Sequence, residues 1–417
     1  MDVKIKFNRE GLWVIILCLT IASFPWHERI NSVGIGLLAL HWLVDSNLLL
    51  KIKKITITLP LLIMWAFFLF HLIVLPFSDH IPEGLHSIEV KICFFILPLF
   101  FASENYFDKN KTILFFNVFC ASAFVSFIYA SIYSSVNFGY AGLQEVFKRM
   151  NLSAAIMHPG YYSNYFAFGF IYVTWLLMTN YYRGYFWRVL LFFINLIFFL
   201  AIIFLSSKTI LIYVFLFFIY FVWYLSGKIE NPWFRRIGLI ALISATIIIF
   251  FSIPSINYRI QETIGNLSLP EKDTKFSNST GARKVAWKLE WGLIEKKWIT
   301  GYGTGEANPL LLQQFKEFHF DDLVLNNMHT HNQILHTWLD LGILGLLILC
   351  FLILCCLWYF FKEKSFLGIW LMLLIMVNIC TDDMFEIQAG AVFLLTFLNI
   401  LLFQTQTNNQ PNRQLII

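Results

Sequence analysis

Long apolar runs follow one another along this chain, and polar stretches separate them. An α-helix of roughly 20 apolar residues spans a hydrocarbon core about 30 Å thick, and most of these runs approach or exceed that length. Backbone polar groups inside a bilayer must pair within their own segment, so the runs are expected to be helices. The pattern predicts twelve spans, in chain order 11–25, 31–48, 57–76, 87–103, 112–133, 161–180, 186–205, 209–226, 236–253, 333–360, 365–381 and 387–404.

One polar stretch is much longer than the others. It runs for 77 residues, from Pro254 to Thr330, and a hydrophobic run resumes just after His331-Asn332. The pattern therefore predicts an all-α polytopic membrane protein with about 12 transmembrane helices and one large, partly helical loop before helix 10. The predicted segments are 1–253 for helices 1–9, 254–332 for the loop, 333–404 for helices 10–12 and 405–417 for a terminal tail.

Composition supports the membrane class. Apolar residues make up 59% of the chain and charged residues 13%, which is too little charge to cover the surface of a soluble protein of this length. The net charge of +5 is too small to indicate a nucleic-acid partner. All seven cysteines fall inside apolar runs, so we interpret them as packing thiols and not as disulfides or zinc ligands.

The distribution of basic residues predicts the orientation. Sixteen of the 30 Lys and Arg residues lie in the tails and connections on one side, and the long loop, which the positive-inside rule does not count, holds nine. Only five lie in the short connections on the other side: Arg29, Lys91, Lys148, Arg149 and Lys208. The rule then predicts cytoplasmic N- and C-termini and an outer loop, which in a bacterial inner membrane faces the periplasm.

His331 and Asn332 precede the tenth span, and two interpretations fit them. In the first, Asn332 is a helix N-cap and His331 is a polar residue at the interface. In the second, the His331 imidazole, whose unperturbed pKa is about 6.5, takes a proton from a substrate hydroxyl. His329 and His336 are weaker candidates, because their spacing need not place them on the same helix face as His331.

Two cationic positions are candidates for anion binding. Arg283, Trp287 and Trp291 recur every four residues, which places them on one face of a helix. The tryptophans suit an amphipathic helix at headgroup depth, whereas a guanidinium grips phosphate with paired donors. Lys208 lies in a tight hairpin between two spans, where its ammonium either snorkels to the surface or meets a phosphate.

The remaining polar clusters carry weaker signals. Asp382, Asp383 and Glu386 lie between the last two spans, where they are either solvated loop charges or partners that hold His331 or Arg283. Gly301–Gly305 lacks the spacing of a nucleotide loop, so we interpret it as a backbone turn. No HExxH-type spacing supports a metal ion, and no cofactor is predicted.

Several of these stretches resemble the O-antigen ligase/O-antigen polymerase superfamily of lipid-linked glycan transferases. His331-Asn332, with Gly342-Ile343-Leu344-Gly345 further along the span, is similar to the family's His-Asn entry into the helix after its large periplasmic loop. Arg283 with Trp287, followed by Gly301–Gly305, is similar to the family's Arg-x-x-x-Trp and glycine-rich motif. Ser207-Lys208 stands where the family usually carries Ser-Arg, a departure that keeps the charge and loses the paired donors.

The resemblance implies an inverting, metal-independent transfer of a glycan from polyprenyl (undecaprenyl) diphosphate to lipid A-core or a similar acceptor hydroxyl at the periplasmic face. Membrane lipids would be its other partners. His331 would be the catalytic base, and Arg283 and Lys208 would bind the donor diphosphate. The possible supporting residues are Asn332, His329, His158, Asp382, Glu386 and Trp287.

Two alternatives stay open. A repeat-unit polymerase would use the same donor, but such polymerases tend to carry two sizeable basic outer loops. Here the second outer excursion, 134–160, has 27 residues and only Lys148 and Arg149 as basic residues, which favours a ligase. A membrane transporter or lipid flippase would be expected to carry charges in its span interiors and a repeated half, and the sequence favours neither.

The orientation is testable with introduced cysteines. Cysteines at Ser279 and Asn326 should react with a membrane-impermeant thiol reagent in intact spheroplasts, whereas cysteines at Lys53 and Lys364 should not, because only the first pair lies in the predicted outer loop. The unsubstituted chain is the control for native thiols. Labelling in the opposite pattern would reverse the predicted orientation.

Overall fold

The computed structural model describes residues 9–26, 28–44, 48–104, 107–227, 230–252, 254–267 and 279–407. All regular secondary structure in these ranges is helical, which confirms the predicted all-α class. The α-helices are α1 Arg9–Ser23, α2 Glu28–Val44, α3 Leu48–Lys54, α4 Leu59–Val74, α5 Ile81–Lys91, α6 Cys93–Ser103, α7 Lys109–Phe138, α8 Leu143–Val146, α9 Arg149–Ser153, α10 Pro159–Thr179, α11 Tyr185–Leu205, α12 Lys208–Ser226, α13 Pro232–Ser252, α14 Pro254–Leu267, α15 Ser279–Lys296, α16 Ala307–Glu317, α17 Asp321–Leu325, α18 Gln333–Lys362, α19 Phe366–Ile379 and α20 Gln388–Thr407. Short 3₁₀ turns occupy Leu75–Phe77 and Gly139–Ala141.

Among the described residues, six helical segments are long and apolar enough to cross a membrane: Leu59–Phe77, Ile81–Ser103, Lys109–Ala141, Tyr185–Leu205, Lys208–Ser226 and Gln333–Lys362. Three shorter helices are also apolar: Ile30–Val44, Phe366–Ile379 and Gln388–Gln404. These nine segments overlap nine of the twelve predicted spans. The other three predicted spans, 11–25, 161–180 and 236–253, lie on α1, α10 and α13.

The chain is thus a membrane protein by the length and apolar character of these helices. The count of twelve spans and the periplasmic position of the loop stay predictions. The predicted loop is partly helical, because α14 to α17 lie within it. Residues 268–278 of this loop and residues 408–417 of the predicted tail lie outside the described residues. So do four of the sixteen basic residues counted on the cytoplasmic side: Lys4, Lys6, Lys228 and Arg413.

The chain divides into two compact units, Met1–Ser126 with Ala286–Ile417, and Phe127–Val285. In the first unit, α18 packs against α4 and α19, and α20 packs against α6. In the second unit, α10 packs against α11, and α12 against α13. Aromatic rings fill the core of the first unit, where Trp13 contacts Phe101 and Phe107 edge-on.

A break in α18 joins this helix to the glycine-rich turn of the first unit. Gly342 has φ 66° and ψ −166°, which interrupts the helical hydrogen-bond ladder. The carbonyl oxygens of Leu339 and Asp340 instead accept the backbone N–H groups of Tyr302 and Gly303, each at 2.9 Å. Two backbones therefore cross at the break in direct hydrogen-bonded contact.

This crossing explains why glycine is required at positions 301 and 342, which belong to separate sequence motifs. A Cβ atom at Gly342 would overlap the carbonyl oxygen of Ile299, and one at Gly301 would overlap that of Asp340. Both glycines also have positive φ, 66° and 69°, which L side chains rarely adopt. The predicted backbone turn over 301–305 is confirmed, and its role is to approach α18 closely.

Gly342→Ala should destabilise the protein by roughly 3 kcal/mol or more, because it adds a steric overlap to a strained backbone position. Thermal unfolding in detergent measures the effect. Gly292→Ala is the matched control, since Gly292 is helical and a Cβ there meets no atom within 4 Å. The control should change stability by at most about 1 kcal/mol. Equal melting of the two variants would contradict the proposed role of the crossing.

Candidate active site

The imidazole of His331 lies against the connection between α19 and α20. Its Nδ1 atom is 3.0 Å from Oδ1 of Asp382 and 4.0 Å from Oδ1 of Asp383. The side chain of His331 is 24% exposed and that of Asp382 15%, so both are only partly buried. When Nδ1 carries the proton and donates it to Asp382, Nε2 is left as an acceptor. Of the open interpretations of Asp382, partnership with His331 is the one that the structure shows.

The backbone around His331 is fixed on both sides. His331 has φ 45°, a left-handed conformation that non-glycine residues seldom adopt and that recurs at functional sites. Asn332 is the N-cap of α18, since its Oδ1 accepts the N–H groups of Ile334 and Leu335 at 3.0 and 3.1 Å. The cap interpretation therefore holds for Asn332, and it places His331 immediately before the helix.

Thr330 connects this turn to its surroundings in the first unit. Its Oγ1 is 3.1 Å from Nδ1 of His336 and 3.3 Å from Oδ2 of Asp383, to which it donates. Its carbonyl oxygen accepts the indole N–H of Trp287 at 2.9 Å. Trp287 thus supports the turn directly before His331, whereas Trp291 is more exposed and donates to Glu295 on its own helix.

A buried ion cluster surrounds Glu386. Its carboxylate pairs with the ammonium of Lys91, which is fully buried, and accepts hydrogen bonds from Ser87 at 3.2 Å and Gln333 at 2.9 Å. Nε2 of His336 lies 3.4 Å away. Burial alone would raise the pKa of Glu386, but its interactions with His336 and Lys91 hold that pKa well below the usual range. Glu386 is therefore an ionised anchor.

Asp340 holds the glycine-rich turn from within α18. Its carboxylate oxygens accept the backbone N–H groups of Gly305 and Ala307, each at 2.8 Å. Glu306, between them, accepts the backbone N–H of His80 at 2.6 Å and lies 2.8 Å from its ring. The hydrogen bond that the Glu306 carboxylate accepts from the His80 ring raises the pKa of His80. Asp340 and Glu306 together fix the turn to two different segments of the first unit.

Two other titratable residues of this unit have shifted pKa values. Burial lowers the pKa of the His329 imidazole, which keeps this ring neutral. Burial raises the pKa of Glu290 well above its usual range. Both carboxyl oxygens of Glu290 are buried and have no hydrogen-bond partner among the described residues, so a neutral carboxyl is the form that fits this position.

Lys208 and Arg283 belong to the second unit. Nζ of Lys208, at the start of α12, donates to Oγ1 of Thr280 at 2.8 Å and lies 3.5 Å from Oε2 of Glu262. Thr280 and Arg283 are three residues apart on α15, so they share a helix face. Nε of Arg283 is buried and has no hydrogen-bond partner in the described part of the chain. Two cationic side chains thus lie near the start of α15.

The last predicted site residue, His158, caps a helix. His158, in the second unit, is exposed and caps α10, with Nδ1 accepting the N–H of Gly160 at 3.2 Å. For a metal ion, the described residues offer His331, Asp382 and Asp383, whose ligand atoms lie within 4.8 Å of one another. Within this group, Nδ1 of His331 and Oδ1 of Asp382 are within hydrogen-bond distance of each other, at 3.0 Å.

Sequence reasoning missed Lys91, Asp340 and Glu290. The count of basic residues places Lys91 in an outer connection, and Asp340 lies inside the tenth predicted span, yet both side chains are fully buried. A charged residue inside an apolar run is itself a signal of function, and this signal could have found both. Two of the apolar helical segments therefore carry a buried charged residue.

Asp383 gives a pH-dependent stability. Burial, followed by the negative charge of Asp382, raises its pKa from 3.8 to about 6. A carboxyl whose pKa is higher in the folded protein than in the unfolded chain stabilises the folded state at pH values below its unfolded pKa. For Asp383 this stabilisation is lost as the pH rises through about 6. Asp383→Asn should therefore stabilise the protein by roughly 1–3 kcal/mol at about pH 8 and by almost nothing below about pH 4.

Thermal unfolding of detergent-solubilised protein across this pH range measures the difference. Asp321→Asn is the control, because Asp321 is exposed on α17 and should show no such dependence. A stabilisation by Asp383→Asn that is the same at both ends of the range would contradict the titration of this carboxyl.

A protein-family model described as O-antigen ligase matches residues 191–350. No curated protein matches the chain significantly. The matched segment contains Lys208, Arg283, the glycine-rich turn and His331, and it ends within α18 before Asp382. Because the match includes these motifs in one continuous segment, it supports membership of the chain in the O-antigen ligase superfamily.

Proposed function

We propose that this chain is an O-antigen ligase-type glycosyltransferase of the bacterial inner membrane. In this proposal it transfers a glycan from polyprenyl (undecaprenyl) diphosphate to a hydroxyl of lipid A-core or a similar acceptor at the periplasmic face. The family match indicates a membrane glycosyltransferase-like enzyme of the ligase or polymerase type in general. The observation that supports the catalytic part is the His331–Asp382 pair, at 3.0 Å.

His331 is the proposed general base. Asp382 accepts the proton on Nδ1, so that Nε2 takes the proton of the acceptor hydroxyl. The acceptor oxygen attacks the anomeric carbon from the face opposite the leaving group, and the bond between that carbon and the diphosphate oxygen breaks. Polyprenyl diphosphate leaves with the bonding electrons, and the Asp382 carboxylate stabilises the imidazolium that forms. The activated donor supplies the driving force, and the proposal needs no metal ion or cofactor.

The proposed donor site uses Arg283 and Lys208. Negative charge grows on the diphosphate as the glycosidic bond breaks, and fixed cations stabilise it most effectively where water is scarce. The resemblance supports this role, as does the position of both side chains near the N-terminal turn of α15, where helix geometry also favours an anion. The unpaired Nε of Arg283 leaves a donor for phosphate oxygen.

Most of the supporting residues would hold the reacting side chains in position. Asn332 starts α18 and Trp287 holds the turn at Thr330, so both fix the backbone that carries His331. Glu386 fixes the connection that carries Asp382 through its hydrogen bond with Gln333. His329 is the second candidate for the base, and its lowered pKa keeps it in the unprotonated form that a base requires. The resemblance gives no specific task to His158, which is exposed in the second unit.

A repeat-unit polymerase is the alternative within the same family, because it differs from a ligase only in the acceptor. The single long loop favours the ligase. Transport or lipid flipping is the alternative of another class. The buried charges Lys91 and Asp340 remove part of the sequence argument against it, so the family match and the His331–Asp382 pair support the enzyme.

His331→Asn should reduce glycan transfer by about 10²–10⁴-fold, because it removes the base while asparagine tolerates the left-handed backbone. Cells that carry only this variant should accumulate long glycan on polyprenyl diphosphate and leave their acceptors bare. Transfer is measured in proteoliposomes, and surface glycans are separated on a gel.

His319→Asn is the matched control, since His319 also has a positive φ, 60°, but is exposed on the loop. It should transfer glycan at the wild-type rate. Acceptors that each carry one repeat unit would identify a polymerase. Wild-type transfer by His331→Asn would remove this residue as the base and leave His329 as the next candidate.

A further inference from the structure

The ammonium of Lys208, one of the two cations of the proposed donor site, has a carboxylate beside it. Nζ of Lys208 lies 3.5 Å from Oε2 of Glu262, and the two side chains are 21% and 19% exposed. Water and salt screen a largely buried pair less than a pair on the surface. Glu262 therefore competes with any anion that approaches Lys208.

Glu262 is fixed by the packing of its helix. It lies on α14, which packs against α11 and α13 within the second unit, and Ile256 of the same helix is buried. A carboxylate on a packed helix acts on Lys208 at a high effective concentration, whereas a lipid phosphate must arrive from the membrane. An anion that offers a single charge thus gains little by replacing Glu262.

Lys208 has a neutral partner as well as this charged one. Its ammonium donates to Oγ1 of Thr280 at 2.8 Å, a bond that does not depend on Glu262. The distance of 3.5 Å to Glu262 is longer than that of a charge-assisted hydrogen bond, which is about 2.7–2.9 Å. The hydroxyl therefore positions the ammonium, and the carboxylate is the partner that a ligand can replace.

Arg283 is the second cation of the site. It lies three residues after Thr280 on α15, and its Nε is buried without a hydrogen-bond partner in the described part of the chain. A diphosphate has two charged groups, so one can bind Arg283 while the other displaces Glu262 from Lys208. A phosphodiester headgroup has one charge and can satisfy only one of the two cations.

Phospholipid headgroups have access to this site. Lys208 is the first residue of the apolar segment Lys208–Ser226, so its ammonium is expected at the depth of the headgroups. Anionic lipids are attracted to basic groups at this depth and are far more abundant than any lipid-linked glycan. Two cations without a counter-charge would therefore be occupied by phospholipid.

We propose that Glu262 is a counter-charge that keeps singly charged phospholipid headgroups off Lys208 and is displaced by the diphosphate of the donor. A group that disfavours the wrong ligand is a common source of specificity. This inference rests on the proposed function. Glu262 acts through Lys208, as a positioning residue that takes no part in the bond changes.

Glu262→Gln tests the proposal, because it keeps the shape of the side chain and removes its charge. In proteoliposomes of zwitterionic phosphatidylcholine, it should lower the KM for glycan-linked polyprenyl diphosphate about 3–10-fold and change kcat by less than about twofold. When phosphatidylglycerol replaces about half of the lipid, this KM should rise about 3–10-fold for Glu262→Gln and less than about twofold for the unsubstituted enzyme.

Two variants control for charge and for position. Glu262→Asp keeps the charge and should remain insensitive to phosphatidylglycerol. Glu145→Gln removes a carboxylate from another ion pair of the second unit, with Lys148 at 3.1 Å, which is more exposed and outside the donor site. It should behave like the unsubstituted enzyme. A KM for the donor that Glu262→Gln raises in both lipids, or equal sensitivity of this variant and the unsubstituted enzyme to phosphatidylglycerol, would overturn the proposal.

A binding measurement separates this proposal from the proposed transfer. Spin-labelled phosphatidylglycerol in phosphatidylcholine vesicles should show a larger motionally restricted fraction with full-length Glu262→Gln than with the unsubstituted protein. Addition of Lys208→Gln to that variant should remove the increase. Equal fractions in all three proteins would overturn the counter-charge. The expected fractions without any glycan transfer by the unsubstituted protein would support the counter-charge and overturn the proposed transfer.

Discussion

The ion pair between Glu386 and Lys91 is the interaction on which the candidate active site depends. Both charges are buried in an apolar helical protein, where removal of one partner would leave the other uncompensated at a cost of about 3–5 kcal/mol. The pair joins α5 to the connection between α19 and α20. Gln333 adds the start of α18, because it donates to Glu386 and accepts the N–H of Phe385 at 2.8 Å. The segments that carry His331 and Asp382 are therefore held together by this cluster.

The break at Gly342 gives the site its second fixed point. In a continuous α-helix the carbonyl groups of Leu339 and Asp340 would accept N–H groups of the same helix. Because α18 is broken at Gly342, they accept N–H groups of the glycine-rich turn instead. The Asp340 carboxylate then accepts two more backbone N–H groups from the same turn. One short stretch of α18 thus positions the turn and the start of α16, while its first residues position His331. The glycine at 342 and the glycine-rich turn at 301–305 therefore depend on each other, because their backbones are in direct contact.

Hydrophobic patterning predicted the helical class and the main apolar helices, because burial in lipid acts on each segment separately. It also located His331 and Asn332, since a helix start has a local signature. It did not identify the partners. Asp382 lies 51 residues from His331, and Glu262 lies far from Lys208 in sequence, so only tertiary packing brings each pair together. Lys91 was misplaced because a residue near the edge of an apolar run was counted as a loop charge, although its ion pair allows it to be buried.

The two adjacent aspartates show how the site can hold a base among so many acidic groups. Asp382 is 15% exposed and accepts the hydrogen bond of His331, whereas Asp383 is 3% exposed. Burial and the charge of Asp382 raise the pKa of Asp383 to about 6, so this carboxyl keeps its proton to a higher pH than an ordinary aspartate. The two neighbouring carboxyls thus differ in exposure and in their hydrogen-bond partners. Asp382 can then act as the partner that orients His331, while Asp383, bound to Thr330, supports the backbone behind it.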